Sequence, residues 1–102
     1  MKPVKIQVPA GAAALAKGLT LLDTITDADS PLKFAELLQL SGMSKPTFAR
    51  ILRTLIAFGL VRQDEARGTY ALGPRFLEMS HRVWDTFDLN SAAAPELQRL
   101  SE

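Results

Sequence analysis

The sequence predicts one mostly α-helical domain that carries a small β-hairpin. Two observations support this fold class: apolar residues recur at helical spacing in several segments, and the period changes to two after Gly59. The 102 residues, 47% hydrophobic and 23% charged, suffice for one compact core. Two separately folded domains and an intrinsically disordered chain are therefore excluded for this length of sequence.

Composition removes several classes of chemistry. The chain contains no cysteine, which excludes disulfides, cysteine-ligated zinc, iron–sulfur centres and thiol nucleophiles. A reducing compartment suits such a chain, and we expect a cytoplasmic location. No run of 18 apolar residues occurs, and the alanine-rich stretch over residues 10–16 lacks the apolar core of a signal peptide. We expect no membrane association, no metal site and no cofactor.

The net charge of +1 averages over segments of opposite sign. From Lys33 to Arg75, seven cations stand against three acidic residues, whereas after Arg75 two cations face five carboxylates. A surface that is merely solvated would mix the two signs. The basic middle of the chain therefore favours contact with a polyanion.

Periodicity and turn signals divide the first half of the chain into a tail and three helices. Residues 1–11 are predicted to be an N-terminal tail, and an apolar stripe predicts a first helix over about 12–26. Ser30 and Pro31 precede a short second helix that ends at Gly42. A tight turn leads to a third helix, in which Ser44 is expected to accept a hydrogen bond from a first-turn amide. Its core face comprises Phe48, Ile51, Leu52, Leu55 and Ile56.

The second half of the chain begins with a β-hairpin. We expect Gly59 to end the third helix as a left-handed cap, and residues 60–63 and 69–72 to pair as strands. A fourth helix follows over about 74–86. Ser91 is a candidate cap for a fifth helix, which has no stop signal before Glu102. We therefore expect the chain to be cut from a longer protein.

Three helices with a tight turn between the second and third, and then a hairpin, form the order of elements in a winged helix-turn-helix. We assign this domain to residues 12–74, with the helix-turn-helix over about 34–57 and the wing over about 60–72.

The third helix is predicted to present a basic, slim face opposite its core side. A major groove admits one helix, in which arginine and lysine read guanine edges and small side chains allow close approach. We expect base reading by Lys45, Pro46, Thr47, Ala49 and Arg50. We expect phosphate contacts from Lys33, Ser44, Arg53, Arg62 and Arg67.

Simpler explanations of the same cations stay open. The third helix is also compatible with an ordinary amphipathic helix whose charges are solvated, and charged hairpins protect sheet edges, which would account for Arg62 and Arg67. A winged helix that binds protein instead of DNA is the alternative function. A winged helix of that kind would have an apolar outer face on its third helix. Lys45, Arg50 and Arg53 argue against such a face.

An enzyme is the competing class. His81 is the one histidine, and Glu78 and Asp85 stand at helical spacing from it, where they could orient an imidazole. Such charge pairs are ordinary on exposed helices. No second histidine, phosphate-binding loop or nucleophile elbow accompanies them. We therefore expect no enzymatic activity.

The fourth helix carries more apolar surface than one small domain can bury, so we expect a second copy of the chain to cover it. The alternative is that part of this surface packs on the first helix of its own domain. The expected dimer contacts are Leu15, Leu22, Phe76, Val83, Trp84 and Phe87.

Five segments of the chain carry a family resemblance: AKGLTLLD (16–23), FAEL (34–37), SGMSKPT (41–47), RILRTL (50–55) and YALGPRFLE (70–78). Through them the sequence from about residue 14 to 79 resembles the DNA-binding domain of the IclR (isocitrate lyase regulator) family of bacterial transcription factors. The resemblance implies a repressor or activator that binds a palindromic operator as a homodimer or higher homo-oligomer. It also implies a linker helix over 75–88 and a C-terminal domain, beginning at residues 89–102, that binds a small-molecule effector.

Overall fold

The structure is a computed structural model that describes residues 6–89, with side chains up to Phe87. The described residues form four helices and three strands, in the order α1 (Ala13–Asp27), β1 (Leu32–Lys33), α2 (Phe34–Ser41), α3 (Lys45–Ala57), β2 (Val61–Asp64), β3 (Thr69–Leu72) and α4 (Arg75–Leu89). The predicted winged helix-turn-helix is therefore confirmed, and a long helix follows it. The expected fifth helix and further domain lie outside the described residues.

An aromatic cluster joins α2, α3 and the sheet at the centre of the core. Phe48 of α3 is fully buried, and its ring meets that of Phe34 edge to face, with centroids 5.0 Å apart. Tyr70 of β3 lies on the other side of Phe34 at 6.3 Å. The remaining buried apolar residues surround this cluster: Leu21, Leu22, Ile25, Leu37, Leu52, Leu55 and Val61.

Leu22 belongs to this core, so its assignment to a dimer contact is wrong. Only 8% of the residue is exposed, because the buried stripe of α1 is wide enough to include it beside Leu21 and Ile25. Phe76, another expected dimer contact, is half-buried and packs against the same core. Part of the surface predicted to face a second chain is thus covered within the domain.

The sheet has the strand order β1-β3-β2, and all its pairs are antiparallel. Strand β1 was not predicted, since its two residues are too few to show a period. It pairs Leu32 with Tyr70 and Lys33 with Thr69. The N–H of Lys33 also donates to Glu36 Oε1 at 2.8 Å, which holds the start of α2 against the sheet.

The turn between α2 and α3 is fixed by local hydrogen bonds. Gly42 adopts the left-handed conformation (φ 68°), and the Ser41 hydroxyl donates to the Leu38 carbonyl at 2.7 Å. Ser44 occupies the N-cap of α3, but its hydroxyl donates to Thr47 Oγ1 at 3.0 Å. The expected side-chain cap is therefore wrong, because Pro46 removes one of the two amides that an N-cap oxygen normally receives.

A tight junction connects the end of α3 to the start of α4. Gly59 adopts a left-handed φ of 75°, as expected for the cap of α3. Gly73 packs directly on Gly59, and its N–H donates to the Leu60 carbonyl at 2.8 Å. Among residues 6–89, no helix is both long and apolar enough to cross a membrane.

Gly18 and Gly73 form a matched pair for testing this packing. A Cβ at position 18 would lie 3.6 Å from Ile51 Cγ2 and 3.8 Å from Leu55 Cδ2, which is ordinary contact. We expect Gly18→Ala to raise the free energy of unfolding by about 0.5–1 kcal/mol, because glycine is costly inside a helix. Gly73→Ala would drive its Cβ into the Gly59 carbonyl, and we expect a loss of about 3 kcal/mol.

Urea denaturation followed by circular dichroism measures both variants. If both variants changed the free energy of unfolding in the same direction and by the same amount, the packing described for α1 on α3 and for the connection between α3 and α4 would be contradicted.

Candidate nucleic-acid interface

Helix α3 carries three cations and no acidic residue. At 3.6 residues per turn, Pro46, Arg50 and Arg53 fall within an arc of about 60° around the helix axis, opposite the buried Phe48. All three are exposed, and Lys45 is exposed at the first position of the helix. The outer side of α3 is therefore basic and narrow.

The structure divides the five residues expected to read bases into two groups. Lys45, Pro46 and Arg50 are exposed, whereas Thr47 and Ala49 are half-buried at the flanks of the helix. Thr54 was not among the expected contacts, and it is exposed one turn after Arg50, to whose carbonyl its hydroxyl donates at 2.8 Å.

The cations of α3 are not neutralised within the domain. Across residues 6–89, Lys45, Arg50 and Arg53 make no ion pair with a carboxylate. The Glu36 carboxylate of α2 accepts the backbone N–H of Lys33 at 2.8 Å. The positive charge of the helix is thus available to an external polyanion.

The wing is closed by a turn that Asp64 organises. Asp64 Oδ1 accepts the N–H groups of Ala66 and Arg67 at 3.1 and 3.3 Å, and its carbonyl accepts the Gly68 N–H at 2.7 Å. The Arg67 guanidinium Nε lies 4.0 Å from Asp64 Oδ2, and 83% of the side chain is exposed. An exposed pair of this kind is weak, so the turn holds Arg67 at the tip without neutralising it fully.

The outer face of the sheet is a second basic surface. The register places Lys33 and Asp64 on either side of Thr69, and Arg62 opposite Ala71, so their side chains share one face. This face contains a shallow groove lined by Pro31, Arg62, Asp64, Arg67, Thr69 and Ala71. The structure therefore brings Lys33, Arg62 and Arg67 to one side of the domain, while Ser44 and Arg53 lie on the α3 side.

Exposed apolar residues line α1 and α4. On α1, Leu15 is 66% exposed, and Leu19 lies exposed one turn further on. On α4, Val83 and Trp84 are 51% and 38% exposed, and Phe87 is half-buried. Three exposed residues were not among the expected dimer contacts: Leu19, Leu77 and Met79.

His81 is exposed on α4. Within the described part of the chain, no three histidine or carboxylate side chains are grouped so that they could hold a metal ion.

Fold and charge together define a winged helix-turn-helix domain with a basic third helix. Residues 14–65 match the IclR helix-turn-helix domain, and the chain belongs to the IclR family of transcriptional regulators. The family resemblance inferred from the sequence is confirmed.

Curated relatives and solved structures agree with this assignment. The DNA-binding transcriptional repressor YiaJ of Escherichia coli is 30% identical over 93 residues, which is 91% of this chain and 33% of that protein. The HTH-type transcriptional regulator KipR of Bacillus subtilis is 34% identical over 84 residues, 82% of this chain and 33% of that protein. The chain thus spans about a third of the length of these relatives.

Two crystal structures have the same fold. An IclR family transcriptional regulator from Brucella abortus superposes with a TM-score of 0.68 at 28% identity, covering 93% of this chain and 36% of that one. HmgR of Pseudomonas aeruginosa gives a TM-score of 0.65 at 30% identity, covering 81% and 36% of the two chains.

Proposed function

We propose that this chain recognises duplex DNA for a transcriptional regulator by inserting α3 into the major groove. The observation that carries the proposal is the outer side of α3, which is exposed, basic and free of acidic residues, opposite a face fixed in the core. The helix has 13 residues and is about 20 Å long, and a major groove about 12 Å wide accepts one such helix. A protein-binding winged helix would need an apolar surface here.

The proposed contacts divide into base reading and phosphate binding. Arg50 and Lys45 reach base edges from the first half of α3, and Pro46 allows close approach of the backbone to the groove. Arg53 and Ser44 contact phosphates beside them. Lys33, Arg62 and Arg67 on the sheet and wing extend the phosphate contact along the duplex.

We further propose that two copies bind together through the exposed apolar residues of α1 and α4. The surface comprises four of the expected contacts, Leu15, Val83, Trp84 and Phe87, together with Leu19. Leu22 and Phe76 are left out because Leu22 is buried in the core and Phe76 packs against it. A two-fold pair places two α3 helices in successive major grooves of a palindromic operator, with half-sites about 34 Å apart.

Control by a small-molecule effector belongs to the same proposal. The relatives are about three times as long as this chain, which leaves room in them for a C-terminal effector-binding domain. We propose that α4 leads towards such a domain and that the regulator acts in the cytoplasm, as a repressor or an activator. YiaJ is a repressor by name.

The salt dependence of binding tests the proposal. If six to eight phosphates are neutralised per dimer, log affinity falls with log salt at a slope of about −5 to −7. Arg53→Ala should weaken binding to all sequences alike and reduce the steepness of the slope by about two, because each dimer loses two phosphate contacts. Fluorescence anisotropy titrations at several salt concentrations give both values. A flat response to salt, or equal binding to heparin and to every duplex, would contradict DNA recognition.

Arg50 is expected to specify sequence. Loss of an arginine from a guanine edge costs about 1–3 kcal/mol of binding free energy and relaxes the preference at one base position. Selection of binding sites from a random library with the wild type, Arg50→Ala and Arg53→Ala measures this. An unchanged consensus for Arg50→Ala would show that Arg50 does not read a base.

Trp84→Glu should separate the dimer without unfolding the domain, because Trp84 lies outside the buried core. We expect the wild type to dimerise with a micromolar Kd in sedimentation equilibrium. The control is Arg82→Glu, which places the same side chain on the opposite side of α4 and changes the net charge by more than Trp84→Glu does. A wild type that stays monomeric at hundreds of micromolar, or a Trp84→Glu variant that loses its helical circular dichroism, would contradict the proposed surface.

A further inference from the structure

Arg75 makes a long-range hydrogen bond at the start of α4. Its guanidinium Nη1 donates to the carbonyl of Phe58, the C-cap of α3, at 3.2 Å. This bond connects residues 17 positions apart. The hydroxyl bonds of α1 and α3 and the Asp64 bonds of the wing turn join residues at most four positions apart. The Arg75 bond therefore joins two elements instead of stabilising one.

Residues 58–60 and 73–75 form what we call the α3–α4 junction. Backbone hydrogen bonds connect the two helices there in addition to the Arg75 side-chain bond. The Arg75 N–H donates to the Gly59 carbonyl at 3.1 Å, and the Gly73 N–H donates to the Leu60 carbonyl at 2.8 Å. Gly73 leaves no room for a side chain against Gly59. The first residue of α4 is thus tied to the last turn of α3 by backbone and side chain together.

Electrostatics explain why the residue is a cation. Arg75 stands at the N-terminus of α4, where the dipole of its own helix disfavours positive charge. At the C-terminus of α3 the same charge is favourable, because unpaired carbonyls there carry partial negative charge. The favourable interaction of the guanidinium with the C-terminus of α3 therefore offsets its unfavourable interaction with the dipole of α4. This arrangement indicates a residue that serves the junction.

We propose that Arg75 is a positioning residue that sets the angle between α4 and α3, and with it the separation of the two α3 helices in a DNA-bound dimer. This rests on the proposed function, since α4 contributes to the dimer and α3 reads DNA. If α3, which is about 20 Å long, rotates by 10° relative to α4 at the junction, its far end moves by about 3 Å. That displacement is close to the rise of one base pair, so a small change of angle alters the half-site spacing that fits.

The first experiment compares operators that keep both half-sites and differ in the spacer by single base pairs. We expect the wild type to prefer one spacer and Arg75→Ala to lower this preference at least about threefold, while the half-site consensus and the salt slope stay unchanged. Arg75→Lys should restore part of the preference, because an ammonium group also donates to a carbonyl. The matched control is Arg82→Ala, which removes an exposed arginine of α4 away from the junction.

A second experiment measures the angle without DNA. Because the chain has no native cysteine, Thr54→Cys and Asp85→Cys allow one spin label on α3 and one on α4. The labelled chain is diluted with an excess of unlabelled chain so that only distances within one copy are observed. We expect Arg75→Ala to broaden the distance distribution between the labels, and Arg82→Ala to leave it unchanged.

The outcomes separate this inference from the proposed function. An unchanged spacer preference and an unchanged distance distribution in Arg75→Ala would overturn the positioning role. A salt slope that is less steep by about two, one for each copy in the dimer, with the spacer preference intact, would make Arg75 a phosphate contact instead. If the wild type binds no duplex, the proposed function fails, and the distance distribution then decides on the junction by itself.

Discussion

Burial of Phe48 against Phe34 determines which side of α3 faces the solvent. The Phe34 ring of α2 also contacts Tyr70 of β3, so the cluster fixes α3 directly on α2 and connects both helices to the sheet. With Phe48 inside, helical geometry turns Arg50 and Arg53 outwards. Loss of this ring would leave a large cavity at the centre of a small core, at a cost of about 3–5 kcal/mol. The basic face exists because an apolar one is anchored opposite it.

The unpaired cations of α3 make sense as part of a binding surface and not as a stabilising feature of the fold. Like charges on one helix repel, and within residues 6–89 no carboxylate pairs with these three. Salt at cellular concentration screens the repulsion over about 8 Å, so the domain tolerates it. A polyphosphate backbone would remove the repulsion and release counterions on binding. The wing and the sheet add charge on a neighbouring face, while the α3–α4 junction connects the reading helix to the helix proposed to join two copies.

Local signals in the sequence sufficed for most of the elements. The first helix was placed over 12–26 and spans Ala13–Asp27, because the turn residues that bound it act within a few positions. Strand β1 was missed because it exists only through pairing with residues almost forty positions later. Leu22 was assigned to the wrong surface because periodicity alone does not show how wide a buried stripe becomes. Gly18 faces Ile51 and Leu55 of α3 with room for a methyl group, and this packing is tertiary, so the sequence did not show it. The Arg75 bond to α3 also depends on the folded chain, and no sequence pattern indicated it.

Methylation interference on a selected operator tests the central claim most directly, since guanine N7 lies in the major groove and adenine N3 in the minor groove. Methylation of guanine N7 should block binding in both half-sites, with the two blocked positions about ten base pairs apart on one face of the duplex. Arg50→Ala should relieve the block at one guanine in each half-site. Interference confined to adenine N3, or none at guanine N7, would contradict the insertion of α3 into the major groove.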